Sequence, residues 1–143
     1  VVGIKDANSG EFDEQCKHKV INFMPGQNDN IDKGGTLRLG AYPCNIQAGT
    51  TMHRCYDVDT ISERHRHRYE FNNDYREQIT LSGLTVSGTS PDGRLVETVE
   101  ITDRPFHVGV QYHPEFKSRP NRPHPLFKGF IQAALSHQSG GNL

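Results

Sequence analysis

The hexapeptide QYHPEF places His113 two residues before Glu115, directly after the apolar run FHVGVQ (106–111). A histidine beside a carboxylate is the base-plus-orienter arrangement of nucleophilic catalysis. The acid fixes the imidazole tautomer, and the imidazole takes a proton from a thiol or hydroxyl. At the end of a strand, both side chains would stand near the carboxyl edge of a sheet, where α/β proteins hold ligands. The plain alternative is a surface histidine next to a proline.

A second stretch, ERHRHRYEF (63–71), alternates three arginines with two histidines between flanking acids. If it is extended, Glu63, His65, His67, Tyr69 and Phe71 share one face, and Arg64, Arg66, Arg68 and Glu70 the other. His65 and His67 would start a metal site, but further ligands at zinc-like spacing are lacking. A nucleic-acid strip needs a wider basic field with stacking aromatics. A solvated strand needs nothing more. The fourth reading is an arginine fork gripping a carboxylate. An amino-acid substrate wants Arg for its α-carboxylate and Asp or Glu for its α-ammonium. Arg68 and Glu11 would serve, yet spacing does not single them out from the other arginines and glutamates.

The elements that carry these residues are short and mixed. KVINFM (19–24) reads as a buried strand closed by Pro25-Gly26, and residues 26–35 as a loop. After Gly34-Gly35, TLRLGAYP predicts a half-buried strand with Leu37 and Leu39 alternating with Thr36 and Arg38. CNIQ predicts a further strand, followed by a turn at Ala48-Gly49 and a short helix after Thr50. NNDYREQITLSG (72–83) predicts a helix with Tyr75, Ile79 and Leu81 on one face, an asparagine cap and Gly83 at its end. Residues 84–101 predict a hairpin around Ser90-Pro91-Asp92-Gly93. FHVGVQ is a buried strand leading into the basic, proline-broken loop YHPEFKSRPNRPHP. LFKGFIQAAL (126–135) predicts an amphipathic helix with Pro125 in its first turn, and SHQSGGNL should fray. The last strand-loop-helix unit suits an α/β sheet whose remaining strands lie outside the chain.

The 143 residues carry a net charge of −1, so no global field calls for nucleic acid or a membrane. Hydrophobic residues make up 33%, low for a self-sufficient domain. Cys16, Cys44 and Cys55 form neither an even framework nor a C-x-x-C pair, which predicts reduced thiols in a cytoplasmic protein. No apolar run approaches the roughly 20 residues of a membrane helix, and no secretory signal is visible. A start without methionine suggests an excerpt of a longer protein.

ANSGEF, GGTLRLG, ERHRHRYEFNN, SGTSPDGRLVE and VQYHPEFKSRPNRPHPLFKGF occur together and in this order. The combination resembles the C-terminal part of the class I glutamine amidotransferase domain of the CTP synthases. H-P-E is shared by many class I amidotransferases; GGTLRLG with ERHRHRYE is more specific. The resemblance implies an incomplete three-layer α/β fold with a mixed, largely parallel central sheet. Residues 1–137 would form the amidotransferase portion and 138–143 a flexible tail. It implies an enzyme that makes CTP from UTP, ATP and glutamine, with GTP as activator, Mg2+ and ATP bound by an N-terminal synthase domain, and a homotetramer. His113 and Glu115 match the histidine and glutamate of the family's Cys-His-Glu triad, and Glu11 and Arg68 its glutamine contacts. No metal ligand is implied in this segment. The nucleophilic cysteine belongs to a glycine-flanked elbow before ANSGEF, and none of the three cysteines here has a G-x-C-x-G context. The expectation is a segment inactive by itself. The alternative is a non-catalytic amidotransferase-like module that binds a partner or ligand.

Overall fold

The computed structural model describes residues 3–23 and 38–140. Among them the chain runs through strands β1 (Ala7–Ser9), β2 (His18–Phe23) and β3 (Arg38–Ile46), and helix α1 (Thr51–Tyr56). Strands β4 (Thr60–His67) and β5 (Tyr69–Phe71) and helix α2 (Arg76–Leu81) follow. Strands β6 (Thr85–Thr89), β7 (Val96–Glu100) and β8 (Val108–Val110) lead to helix α3 (Pro125–Gln138). The strands form a small sheet ordered β1-β2-β5 and a larger one ordered β4-β3-β6-β7-β8.

The α/β mixture follows the sequence reading, but the strand pairing departs from the largely parallel sheet expected. Among the described strands β1 and β2 pair parallel. The other five pairings are antiparallel. Of these pairs, β6 and β7 are joined by a short turn that returns the chain beside itself, whereas β3 and β4 are joined through α1. The predicted hairpin is β6 and β7, with Gly93 at φ +72° in its turn.

The stretch read as two strands is one continuous nine-residue β3. It pairs with β4 from Arg38 to Asn45 but with β6 only at Asn45 and Ile46. Pro43 therefore sits where one flank of β3 has no partner strand among the described residues, which suits a residue lacking an N–H. Gly88 stands at the corner where β3 meets β6. A Cβ there would lie 2.6 Å from Thr98 Oγ1 and 2.8 Å from Cys44 Sγ, so only glycine fits. The facing of β3 is the reverse of that expected. Arg38 is 6% exposed and Leu39 52% exposed. Arg38 meets buried carboxylates, and that outweighs the preference of leucine for the interior. Thr36 and Leu37 lie outside the described residues, as do the loop expected at 26–35 and Met24.

Helix α1 is short and depends on its N-terminal contacts. Thr50 Oγ1 accepts from His53 N at 3.0 Å and donates to the carbonyl of Gln47. The fully buried Glu100 accepts from the amides of Thr51 (2.8 Å) and Met52 (3.1 Å). These are the donors a helix leaves unpaired at its start, and a carboxylate suits the positive end of its dipole. α1 is thereby fastened to β7. Residues 72–83 form a single 3-10 turn (Asn73–Tyr75) and then α2, capped by Asn72 and ended near Gly83 at φ +100°. Ile79 is buried, but Leu81, expected on the same face, is 82% exposed. Both residues lie in α2, two positions and about 200° apart around the helix, so they stand on opposite faces.

α3 begins at Pro125, and the His124 side chain accepts from Leu126 N at 3.3 Å. Leu126 and Ala133 face inward. Gln138, expected in the tail, is the last helical residue, and residues 141–143 lie outside the described part. Cys44, Ile46, Met52, Ile61, Tyr112 and Leu126 form the core between β3, β4, α1 and α3.

Candidate functional site

β8 delivers His113. Gln111 N donates to Glu97 O at 2.9 Å, which carries the pairing one step past β8, and Tyr112 is buried. His113 N then donates to Arg64 O on β4 at 2.9 Å. Pro114–Phe116 form a single 3-10 turn with the proline first, where its missing N–H costs nothing. Lys117 Nζ donates to Ser62 O at 2.6 Å. Both ends of the turn are thus tied to β4. Between them His113 Nδ1 meets Glu115 Oε1 at 2.7 Å, and the imidazole stacks on Phe116 with centroids 4.8 Å apart. A carboxylate only accepts, so Nδ1 carries the hydrogen and Nε2 keeps its lone pair. The hydrogen bond from His113 holds the Glu115 carboxyl below the usual carboxylate range. The pair can remove and return a proton through Nε2.

Arg68 is the single residue between β4 and β5, which belong to different sheets. The even alternation expected over 63–71 breaks there. Glu63 and His65 are buried and Arg64 and Arg66 exposed, as extended parity requires, but Tyr69 and Glu70 are buried in succession. The Arg68 guanidinium lies over the rings of Tyr69 (5.3 Å) and Phe23 (5.7 Å), which stack on each other. No carboxylate among the described residues pairs with it. Glu11 is exposed in the turn after β1, with its own amide donating to Ser9 Oγ. β1 runs parallel to β2, and β5 antiparallel to it with Tyr69 opposite Phe23. Glu11 and Arg68 therefore leave the small sheet at the same end, about two strand spacings or roughly 10 Å apart. Arg68 lies four residues beyond the point on β4 where His113 is tied, about 13 Å along an extended strand.

The histidines of the same stretch have a different occupation. His67 Nδ1 lies 3.1 Å from Tyr69 O, and a carbonyl can only accept, so Nδ1 is the donor. His67 Nε2 must then accept from His65 Nδ1, 2.8 Å away. His65 Nε2 is left as an acceptor 3.8 Å from Glu97 Oε2. Burial and the nearby Arg38 push the two rings down, His65 to about 3 and His67 to about 4, so both are neutral at pH 7. With three of four ring nitrogens engaged inside the chain, the pair does not present a metal site. No group of three or more His, Cys, Asp or Glu among the described residues is placed to hold a metal ion.

Behind the histidines lies a buried charge cluster that the sequence reading missed. Arg38 on β3 pairs with Glu97 on β7 through a short contact and with Glu70 on β5 at 3.4 Å. Burial pushes both carboxyls up against the pull of the guanidinium. Glu97 and Glu100 lie on VETVE, a strand buried on both faces, where acids need partners. A second cluster joins Glu63 to Tyr56 (3.0 Å) and to His124 (3.0 Å). His124 Nδ1 accepts from the first turn of α3, so its Nε2 is the donor to Glu63. That cluster fixes the start of α3 against β4. The basic loop YHPEFKSRPNRPHP runs into helix at its last residue, since Pro125 begins α3.

The three cysteines are free. Cys44 is fully buried, and burial pushes its thiol up to about 12. Burial also raises the thiol of Cys55. A cavity of about 890 Å³ between α1, α3 and the 102–106 turn includes Cys55 but none of His113, Glu115, Glu11 or Arg68. The chemistry sits on an open face instead.

The model of the class-I glutamine amidotransferase family matches residues 10–133. A CTP synthase of Moorella thermoacetica is 57% identical over 141 residues, 99% of this chain and 26% of that protein. One of Roseiflexus castenholzii is 61% identical over 135 residues, 94% of this chain and 24% of that protein. The chain therefore spans about a quarter of the length of the curated relatives it matches. The glutaminase domain of Trypanosoma brucei CTPS with bound acivicin superposes with a TM-score of 0.84 at 36% identity. That match covers 100% of this chain and 54% of the other. A putative GMP synthase protein from Thermoplasma acidophilum shares the fold at a TM-score of 0.53 and 17% identity, over 72% of this chain and 47% of the other.

Proposed function

The chain belongs to the class-I glutamine amidotransferase family, and on that premise we propose that it is the C-terminal part of the glutaminase domain of a CTP synthase. The observation that carries the reading is the His113–Glu115 pair, 2.7 Å apart and tied at both ends to β4. His113 is the base and later the acid. Through Nε2 it takes the proton of a thiol, whose sulfur attacks the δ-amide carbon of glutamine. It returns that proton to the nitrogen as ammonia leaves, then draws one from the water that releases glutamate. Glu115 holds the ring in the required tautomer by accepting from Nδ1. Arg68 takes the α-carboxylate and Glu11 the α-ammonium, so that binding of the two ends aligns the amide.

In this reading the ammonia serves a synthase domain outside the 143 residues, which converts UTP to CTP with ATP and Mg2+. GTP activation, a homotetramer and a cytoplasmic location belong to that whole enzyme. No step above runs through a metal, and no helix among the described residues is long and apolar enough to cross a membrane.

The attacking thiol also comes from outside these residues. Cys44 is buried and Cys55 raised, so neither supplies a thiolate at neutral pH. The 143-residue chain alone is expected to release no ammonia from glutamine above background. Turnover that disappears on Cys16→Ala, Cys44→Ala or Cys55→Ala would overturn this. In a complete synthase carrying the segment, Arg68→Lys is expected to raise KM for glutamine about tenfold with kcat within about twofold, since a point charge replaces a planar fork. An unchanged KM would remove Arg68 from the glutamine site.

A further inference from the structure

We infer that His67 is a positioning residue for Arg68: its ring fixes the bend at which the strand passes from one sheet to the other, and so aims the guanidinium at the glutamine carboxylate. The inference rests on the reading of Arg68 as the carboxylate grip. Arg68 is the only residue between β4 and β5. Were the strand to continue unbroken, Arg68 would stand beside Arg64 and Arg66 on the exposed face. It is instead half-buried against Phe23 and Tyr69. The direction of its side chain is set by the hand-over between the sheets, and three contacts hold that hand-over.

The first spans Arg68 itself. His67 Nδ1 donates to Tyr69 O at 3.1 Å, joining the residue before the bend to the residue after it. The second fixes the ring that does this: His65 Nδ1 donates to His67 Nε2 at 2.8 Å, so His67 can present only Nδ1–H to Tyr69. The third ties the far side down. Glu70 accepts from Arg38 at 3.4 Å, and Arg38 reaches across to Glu97 on β7. On the small-sheet side Tyr69 stacks on Phe23 with centroids 4.4 Å apart. The bend is thus anchored to both sheets while the guanidinium it carries has no carboxylate partner among the described residues. A fork held in place before its ligand arrives loses little freedom on binding. The two histidines of RHRHR therefore serve the arginine that follows them.

The test uses a complete synthase carrying this segment, assayed with glutamine and with ammonia. His67→Leu removes the donor to Tyr69 O. His67→Asn keeps it, because the amide N–H₂ stands where Nδ1–H does. Leucine is expected to raise KM for glutamine about tenfold, the size of one positioning hydrogen bond, with kcat and the ammonia-driven rate within about twofold. Asparagine is expected to stay within about threefold of the parent KM. In an Arg68→Lys background the leucine change should add less than about twofold, because the grip it positions is already lost. A parent-like KM for His67→Leu beside a raised KM for Arg68→Lys would overturn the inference and leave the grip standing. Parent-like KM in both would remove the grip itself. If His67→Leu fails to fold, His67→Gln decides, since its amide reaches the Nε2 position and not the carbonyl of Tyr69. A parent-like KM there, or an asparagine variant as impaired as the others, would overturn the positioning role.

Discussion

Replacing His113 with alanine in a complete synthase is expected to lower glutamine-driven CTP formation by about 10³-fold or more, within the range of a positioned general base, and to leave ammonia-driven formation within about twofold. The split follows from where the residue stands. His113 follows an edge strand of the larger sheet, its ring 36% exposed and hydrogen-bonded to Glu115, which is more exposed still. The backbone bond to Arg64 O does not involve the side chain, so alanine keeps the turn in place. Nothing in the core is emptied, because the inward-facing neighbour is Tyr112. Loss of both activities together would make His113 a structural residue and remove the basis of the proposed mechanism. Glu115→Gln provides the graded control. It keeps a hydrogen-bond acceptor for Nδ1–H but gives up the charge that strengthens that bond, so its loss should fall between parent and His113→Ala.

What was legible in the sequence was what depends on near neighbours. The His113–Glu115 contact spans two residues and follows from one proline-led turn. The Asn72 cap, the hairpin turn at Gly93 and the start of α3 at Pro125 are equally local. The reversal of β3 was not legible, because Arg38 is buried by Glu97 and Glu70, which arrive 59 and 32 residues later. Hydrophobic alternation assigns the inward face to leucine, and a buried cation paired from two other strands overrides it. The same cluster explains the failure of parity at Arg68. Alternation assumes one strand in one sheet, whereas β4 and β5 pair with different partners on either side of that residue. Sequence spacing thus picked out RHRHR as unusual without separating its parts. Arg64 and Arg66 reach solvent, the histidines close a buried relay, and Arg68 alone faces the end of the sheet shared with Glu11.

Arg38→Met should be the most destabilising single change in the segment, costing about 3–5 kcal/mol, as for other buried pairs that lose one partner. Arg38 is 6% exposed, and the Glu97 side chain beside it is fully buried. Methionine fills much of the space and leaves two carboxylates without their cation. Both carboxyls are already pushed up by burial, with Arg38 the opposing influence. Removing the cation must raise them further. A carboxyl with a raised folded-state value binds its proton in the folded protein before the unfolded one, so folding gains as pH falls and loses as pH rises through that value. The defect of Arg38→Met should therefore shrink on acidification below neutrality. Glu97→Leu in the same chain should recover much of the loss at pH 7, because a buried apolar pair replaces an unpaired charge. Amide hydrogen exchange of β3, β4 and β7 in the complete protein reads all three outcomes. Protection that is unchanged in Arg38→Met, or a defect that grows on acidification, would mean that this cluster does not hold the two sheets together.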